Sequence, residues 1–443
     1  MTQRYRIIFQ TYDDNSPDTI LTEKAILEDN ITPPTSCLDF SMGLEKQIFL
    51  IQTTQDCLID KKINLLQEEK KECPKCKEKL QKFGNQKSTF SDVFTDHKLT
   101  IQRLRCGSCG YDMPATVRTL INTTQSGDLQ RIQATLGATH TYREGEKIFE
   151  LFSMKSRRIN NHDRIKHVTE SLGEVIEKIE ETEKSVVIAD PAKELVLAVD
   201  GGHIKTIEED KRSMEAMASV IYRPEAICSN GKGTRHYLSD KSSAASVNED
   251  NKQIISATII AALKQGLTDK THVTALCDGA INCWDIVEAV RPLCKSMTCI
   301  LDWFHIGMKI ENISLPSKLK KKFLRIKWHL WRGNVKNALT RLEQLIEISL
   351  DLKHCTRLKK FATYIKNNCD KIINYRERKK LGLVFTSQLA ESTVESLINR
   401  RCKGRQHMRW SREGLNPVLK LRAAINSKDD WESKWKMAIL NVK

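Results

Sequence analysis

Two apolar runs of strand length, at 195–199 and 273–277, each end in an aspartate followed by glycine, Asp200-Gly201 and Asp278-Gly279. Such runs mark strands buried in a layered sheet, so the chain must wrap other elements around them. The neighbouring pattern agrees. An antiparallel partner at 216–222, a helix at 252–267, a helix at 283–292 and a strand at 297–302 alternate with the two runs, and this order predicts a mixed α/β sheet. From 307 to 385 the chain reads as almost wholly helical, with Leu339, Leu342, Leu345, Ile346 and Leu350 as a core stripe, which makes it an insertion within the α/β domain. Beyond it, Ser387 is of a type that caps helices, here one running from Gln388 to about Arg401.

A carboxylate at the end of a buried strand faces a cleft. Asp200 and Asp278, joined by Glu391 from the downstream helix, are the donor set that holds two divalent ions roughly 3.5–4 Å apart for attack on a phosphodiester. Glu391 and Glu395 are four residues apart on one helix face, so on spacing alone either can serve.

The charge fits a phosphate-rich partner. The chain carries a formal +16. Between 306 and 380 there are 20 Lys and Arg against 6 Asp and Glu. A second basic run comprises Arg400, Arg401, Lys403, Arg405, Arg409 and Arg412. Either run taken alone is as consistent with a solvated helical face; two of them flanking a candidate metal-site acid point to a phosphate-lined channel.

The N-terminus lacks the apolar core of a signal peptide, and no run of about 18 apolar residues occurs, so a cytosolic protein with no membrane partner is expected. There its 14 cysteines are thiols or metal ligands rather than disulfides. Cys73-Pro74-Lys75-Cys76 and Cys106-Gly107-Ser108-Cys109 have the spacing of two zinc knuckles, with Gly107 and Gly110 easing the second, and predict a zinc ribbon over 68–116 holding one structural ion. Between the knuckles, Phe90, Val93, Phe94, Leu99, Ile101 and Leu104 allow a hairpin. Cys228, Cys277, Cys283 and Cys299 read as small buried hydrophobes. Residues 1–67 mix strand-like runs at 5–9 and 48–51 with polar connections. The segment 117–190 shows helical spacing, with Leu129, Ile132, Leu136, Tyr142, Ile148, Leu151 and Phe152, and suits either a helix-turn-helix-like DNA-binding module or a plain helical spacer.

Three blocks of residues carry a resemblance. They are Val199-Asp200-Gly201-Gly202; Cys277-Asp278-Gly279 with Leu301-Asp302-Trp303-Phe304-His305-Ile306; and Glu391-Ser392-Thr393-Val394 continued by Arg401, Gln406, Met408-Arg409-Trp410-Ser411 and Gly414. In these the chain resembles bacterial insertion-sequence transposases of the DDE class, in the Mutator-like group close to its ISKra-type members, over roughly 195–425. The resemblance implies an RNase H-like catalytic domain in two parts, 191–306 and 386–443, interrupted by the all-helical insertion 307–385. It implies Asp200, Asp278 and Glu391 as catalytic residues holding two Mg (or Mn) ions, with Glu391 preferred to Glu395 by its spacing to Trp410. Asp302 and His305 match the group's accessory motif near the active site. Trp303 and Phe304 read as packing residues.

The implied activity is metal-dependent cleavage and strand transfer on DNA, without a covalent protein–DNA intermediate. Lys320, Lys321, Lys322, Arg325, Lys327, Arg400, Arg401, Lys403 and Arg409 would neutralise backbone phosphates, while the ribbon and helical module would recognise the element's terminal inverted repeats. The implied partners are those repeats and target DNA, bound by a homodimer or higher oligomer. Two other readings fit the same residues: an RNase H-like structure-specific nuclease without strand transfer, and a transposase-derived DNA-binding protein without activity.

Overall fold

The computed structural model describes residues 3–68, 71–113, 124–154, 156–182, 190–231, 236–247, 251–349, 351–403 and 408–441. Leu350 of the expected stripe, and Arg405 and Gln406 of the basic and resemblance blocks, lie outside them. The chain divides into two compact units, one of Met1–Leu136 and Tyr142–Val168 with Lys443, the other of Gly137–Thr141 and Thr169–Val442. The division thus falls inside 117–190, the segment that sequence spacing sets apart as one module.

In the first unit, strands β1 (Gln3–Asp13) and β2 (Ser16–Ile31) form an antiparallel hairpin, and α1 spans Leu44–Glu68. The run at 48–51, expected as a strand, lies in this helix. Its four apolar residues are one stretch of a longer pattern, in which buried Ile48 and Ile63 line up with half-buried Ile59 and Leu66 on one face. Ile63 packs on Leu99 and Ile101 of a second hairpin, β3 (Leu80–Ser91) with β4 (Asp96–Cys106). A short β5 (Asp112–Met113) pairs with the end of β4, so the first knuckle precedes a three-stranded sheet and the second joins its β4 to β5. The loop between β3 and β4 is clamped by buried Arg157, which donates to the carbonyls of Asp92 (3.0 Å), Val93 (3.0 Å) and Thr95 (2.7 Å). Leu129, Phe149 and Ile165 make a separate helical core around which Val93, Ile132 and Leu136 pack.

The second unit is built on a five-stranded mixed sheet ordered β10-β7-β6-β11-β12, where β6 is Glu194–Lys205, β7 Ser213–Tyr222, β10 Ser242–Val247, β11 His272–Cys277 and β12 Ser296–Leu301. β6, β7 and β10 run antiparallel as a meander; β11 and β12 extend it in parallel from β6. Between β7 and β10, the short strands β8 (Ile227–Ser229) and β9 (His236–Leu238) pair antiparallel with each other. A mixed α/β architecture is therefore present. The sequence reading has no strand at β10, whose residues Ser242-Ser243-Ala244-Ala245-Ser246-Val247 include a single β-branched side chain. Small residues suit the position, because helices Lys252–Lys264 and Arg412–Asn426 both pack against this strand.

After β12 the chain is helical, over Trp303–Asn312, Ser317–Trp331, Val335–Glu347, Leu352–Asn367 and Tyr375–Lys380. Leu342 and Leu345 of the expected stripe are buried among Phe323, Ile326, Leu330, Leu358, Phe361 and Ile365. Trp303 packs against Trp331 and Tyr375 with ring centroids 4.8 and 4.9 Å away, as a packing role for it requires. No helix among the described residues is long and apolar enough to cross a membrane.

Candidate active site

The pairing register brings three acidic residues to one level. Val199 pairs with Cys277 and Cys277 with Leu301, so Asp200, Asp278 and Asp302 each stand one residue beyond, Asp278 and Asp302 at the C-terminal edge formed by β11 and β12, and Asp200 level with them within the longer β6, which runs on to Lys205. That edge is where open α/β sheets bind ligands.

The three carboxylates differ in what surrounds them. Asp302 is fully buried and accepts four hydrogen bonds, from Phe304 N (3.2 Å), His305 Nδ1 (2.8 Å), Ser387 N (2.9 Å) and Ser387 Oγ (2.6 Å). Burial opposes its ionisation, but the bonds from His305 and Ser387 outweigh burial and hold its pKa below the usual carboxylate value. Its acceptor positions are taken up within the protein, which makes it a structural junction between β12, the helix after it and the 388–402 helix. Ser387, expected as a helix cap, directly precedes the helix Gln388–Val394 and donates its hydroxyl to Asp302.

Among the described residues Asp200 and Asp278 have no such shell. Asp200 Oδ1 accepts from Gly201 N at 2.8 Å, and Asp278 Oδ1 from Ala280 N at 2.8 Å. Burial raises the Asp200 pKa, eased by the charge of His305 and the Gly201 amide and reinforced by the like charges of Asp278 and Asp302. A carboxylate whose charge is this poorly compensated, level with a second one on the next strand, fits a hard divalent cation with oxygen ligands.

The helical insertion fixes the edge from the other side. Tyr364 Oη donates to Asp278 O at 2.8 Å and Tyr375 Oη to Leu301 O at 2.7 Å. Gly279 has φ +96°, and an added Cβ would lie 2.8 Å from Tyr364, so only glycine admits this close approach.

Glu391 lies on the helix Gln388–Val394, and its side chain is outside the described residues. Glu395, exposed, is hydrogen-bonded to Asn399 Nδ2 one turn along. The helix continues as a π turn over Glu395–Asn399 and an α turn over Arg400–Cys402. Its far end returns to β6. An added Cβ on Gly202 would lie 2.9 Å from Lys403 Nζ, so this ammonium stands two residues from Asp200 on the same strand.

The Trp410 block has a structural explanation. Trp410 N donates to Lys205 O at 3.0 Å, extending the end of β6, its Nε1 donates to Cys402 O at 3.2 Å, and Ser411 caps the helix Arg412–Asn426. Arg401 was expected at a phosphate but is buried, 3 % exposed, with Nε donating to Gly137 O at 3.0 Å and its guanidinium over the Trp410 ring. It is a core residue. Lys320 also differs from expectation, since its ammonium donates to the carbonyls of Ile310, Glu311 and Ile313 at the end of Trp303–Asn312. Lys327 stands 3.9 Å from Glu311. Lys321, Lys322 and Arg325 are exposed and line a cleft of about 810 Å³ with Lys318 and His354. Arg400 and Arg409 are exposed.

The four cysteines of the knuckles converge. Sγ atoms are 3.5 Å apart for Cys73 and Cys109, 3.4 Å for Cys76 and Cys106, and 3.6 Å for Cys76 and Cys109, and all four lie within 4.8 Å of one another. The turns are alike: Lys77 N donates to Cys73 O and Gly110 N to Cys106 O, with φ of +64° at Lys77 and +69° at Gly110. Backbone N–H groups of Cys109 and Ser108, against some burial, hold the Cys106 thiol at a pKa of about 6. Four thiols so placed can hold one metal ion and are compatible with structural zinc. Among the described residues no other such cluster of three or more ligands occurs.

Residues 150–437, more than half of the chain, match the model of a family described as an uncharacterised protein family, UPF0236. The match takes in Asp200, Asp278, Asp302, His305 and Glu391 and leaves out the four cysteines. No curated protein matches the chain. On this match, the chain belongs to the uncharacterised protein family UPF0236.

Proposed function

We propose that this protein is a DDE-class DNA transposase whose second unit is an RNase H-like catalytic domain. The observation that carries the reading is the register: Asp200 and Asp278 stand level on adjacent parallel strands, with Asp302 and His305 alongside. A meander extended by two parallel strands, with helices packed on it, supports the fold assignment. Asp200 and Asp278 would hold the metal, with Glu391 as the third ligand; the commitment of Glu395 to Asn399 favours Glu391 over it. Magnesium or manganese bound there would supply activation of water or a terminal 3′-hydroxyl and neutralise the leaving oxygen.

The chain's own groups do the rest. Lys403 beside Gly202 supplies a cation two residues along β6 from Asp200 for the phosphates of the strand being cut, and Arg400 and Arg409 are exposed for further phosphate contacts. Lys321, Lys322 and Arg325, exposed along the cleft of the insertion, would contact further phosphates. The four-cysteine cluster, loaded with zinc, would stabilise the N-terminal sheet that takes part in recognising the element ends.

The test is incubation of purified protein with DNA from the ends of its own element, a target plasmid and Mg²⁺. Joined molecules that vanish in Asp200→Asn, Asp278→Asn and Glu391→Gln, but persist in Glu395→Gln, are the expected outcome. Cleavage with no joined product would move the assignment to a nuclease. Joining that survives all three changes would refute the metal site.

A further inference from the structure

The π turn at Glu395–Asn399 has a partner in the core. Amides in a π turn reach back five residues instead of four, so returning to the α-helix leaves one carbonyl without a helical amide. Arg422, on Arg412–Asn426, meets that surplus, with Nε donating to Leu397 O at 2.7 Å and Nη2 to Ser396 O. Nη1 donates to Ala138 O. The residue is 4 % exposed, and these bonds all end on backbone carbonyls, a costly setting for a cation.

The helix is held at both ends. Ser387 is tied to Asp302 through its amide and hydroxyl, and at the other end Cys402 O accepts from Trp410 Nε1 at 3.2 Å. Between fixed ends the π turn adds one residue, which rotates the remainder of the helix by about 100° relative to an unbroken α-helix.

We propose that Arg422 is a positioning residue that holds the π turn open and so sets the phase between Glu391 on the first half of the helix and Arg400 and Lys403 after it. Its consequence for DNA chemistry rests on the transposase reading; the link between Arg422 and the π turn does not.

Three proteins test this: the native chain, Arg422→Met, and Arg422→Met with Ser396 deleted. Methionine keeps apolar bulk but offers nothing to the carbonyls. The deletion removes the extra residue, so a plain α-helix can join the same two ends. Hydrogen exchange at 395–403 and Mn²⁺-dependent nicking of supercoiled plasmid are the readouts. Arg422→Met should exchange faster at 395–403 while the sheet stays protected, and should nick about a hundredfold more slowly, as misplacement by an ångström does. The deletion should restore both. If it restores neither, Arg422 only packs the core and the proposal is overturned; native exchange in Arg422→Met overturns it equally. Should Arg422→Met not fold, the deletion variant decides alone, with a folded, protected helix in support and continued failure against. If the native chain does not nick DNA, the transposase reading fails, and the exchange comparison still decides the role of Arg422.

Discussion

Three aspartates at one level of one sheet edge have opposite relations to stability. Asp302 accepts four hydrogen bonds in full burial, whereas Asp200 is half-buried with one and faces the charges of Asp278 and Asp302. Removing charge at the first therefore takes away something the fold uses, and at the second relieves a charge that burial and its neighbours oppose. In metal-free buffer, Asp200→Asn should melt at a higher temperature than the native chain. Asp302→Asn should melt lower, by the equivalent of about 1–3 kcal/mol, because its amide NH₂ would face donors from Ser387 or His305. Thermal unfolding of the two variants side by side checks this, and a lower melting point for Asp200→Asn would mean that its carboxylate has a partner in the fold stronger than the Gly201 amide.

At the scale of elements, legibility followed how much each element depends on its own residues. The runs leading to Asp200 and Asp278 are mostly apolar, and the cysteine knuckles have fixed spacing, so both are readable from their residues alone, although β6 itself runs on past Asp200 to Lys205. β10 is not, since its Ala and Ser side chains are selected by the two helices that crowd it and not by strand propensity. The run at 48–51 misled because four apolar residues in isolation look alike in strand and helix, and only the spacing out to Leu66 decides. The roles of Arg401 and Lys320 were illegible for a different reason: a basic residue among basic residues does not announce whether its charge meets solvent or a carbonyl. The π turn leaves no sequence signal, and its trace is a cation, Arg422, among apolar neighbours. The knuckles carry the prediction at this scale. If they hold zinc, Cys106→Ser should remove one equivalent of metal and unfold the sheet of β3, β4 and β5, because a small sheet of this kind draws much of its folding energy from the ion. Elemental analysis together with circular dichroism checks both halves; a freshly purified native chain without zinc would end the assignment.

Over the whole molecule, the excess of positive charge is the property that a DNA-binding reading must use, and the fold separates basic residues with partners in the protein from those left exposed. Lys320 caps three helix-end carbonyls and Lys327 stands by Glu311, while Lys321, Lys322 and Arg325 are exposed along one cleft. Each phosphate left without its cation should reduce the slope of log affinity against log salt by about 0.9, so neutralising the three exposed residues together should flatten it by about 2.7. The loss should be equal for element ends and random DNA, because phosphates carry no sequence information. Lys320→Gln should leave the slope unchanged and lower the melting temperature, since the carbonyls of Ile310, Glu311 and Ile313 lose a charged donor. Filter binding over a salt series, with thermal unfolding of the same proteins, separates the two classes. A slope unmoved by the triple change would return Lys321, Lys322 and Arg325 to the role of a solvated face, and the phosphate path would then have to run past Arg400, Lys403 and Arg409 alone.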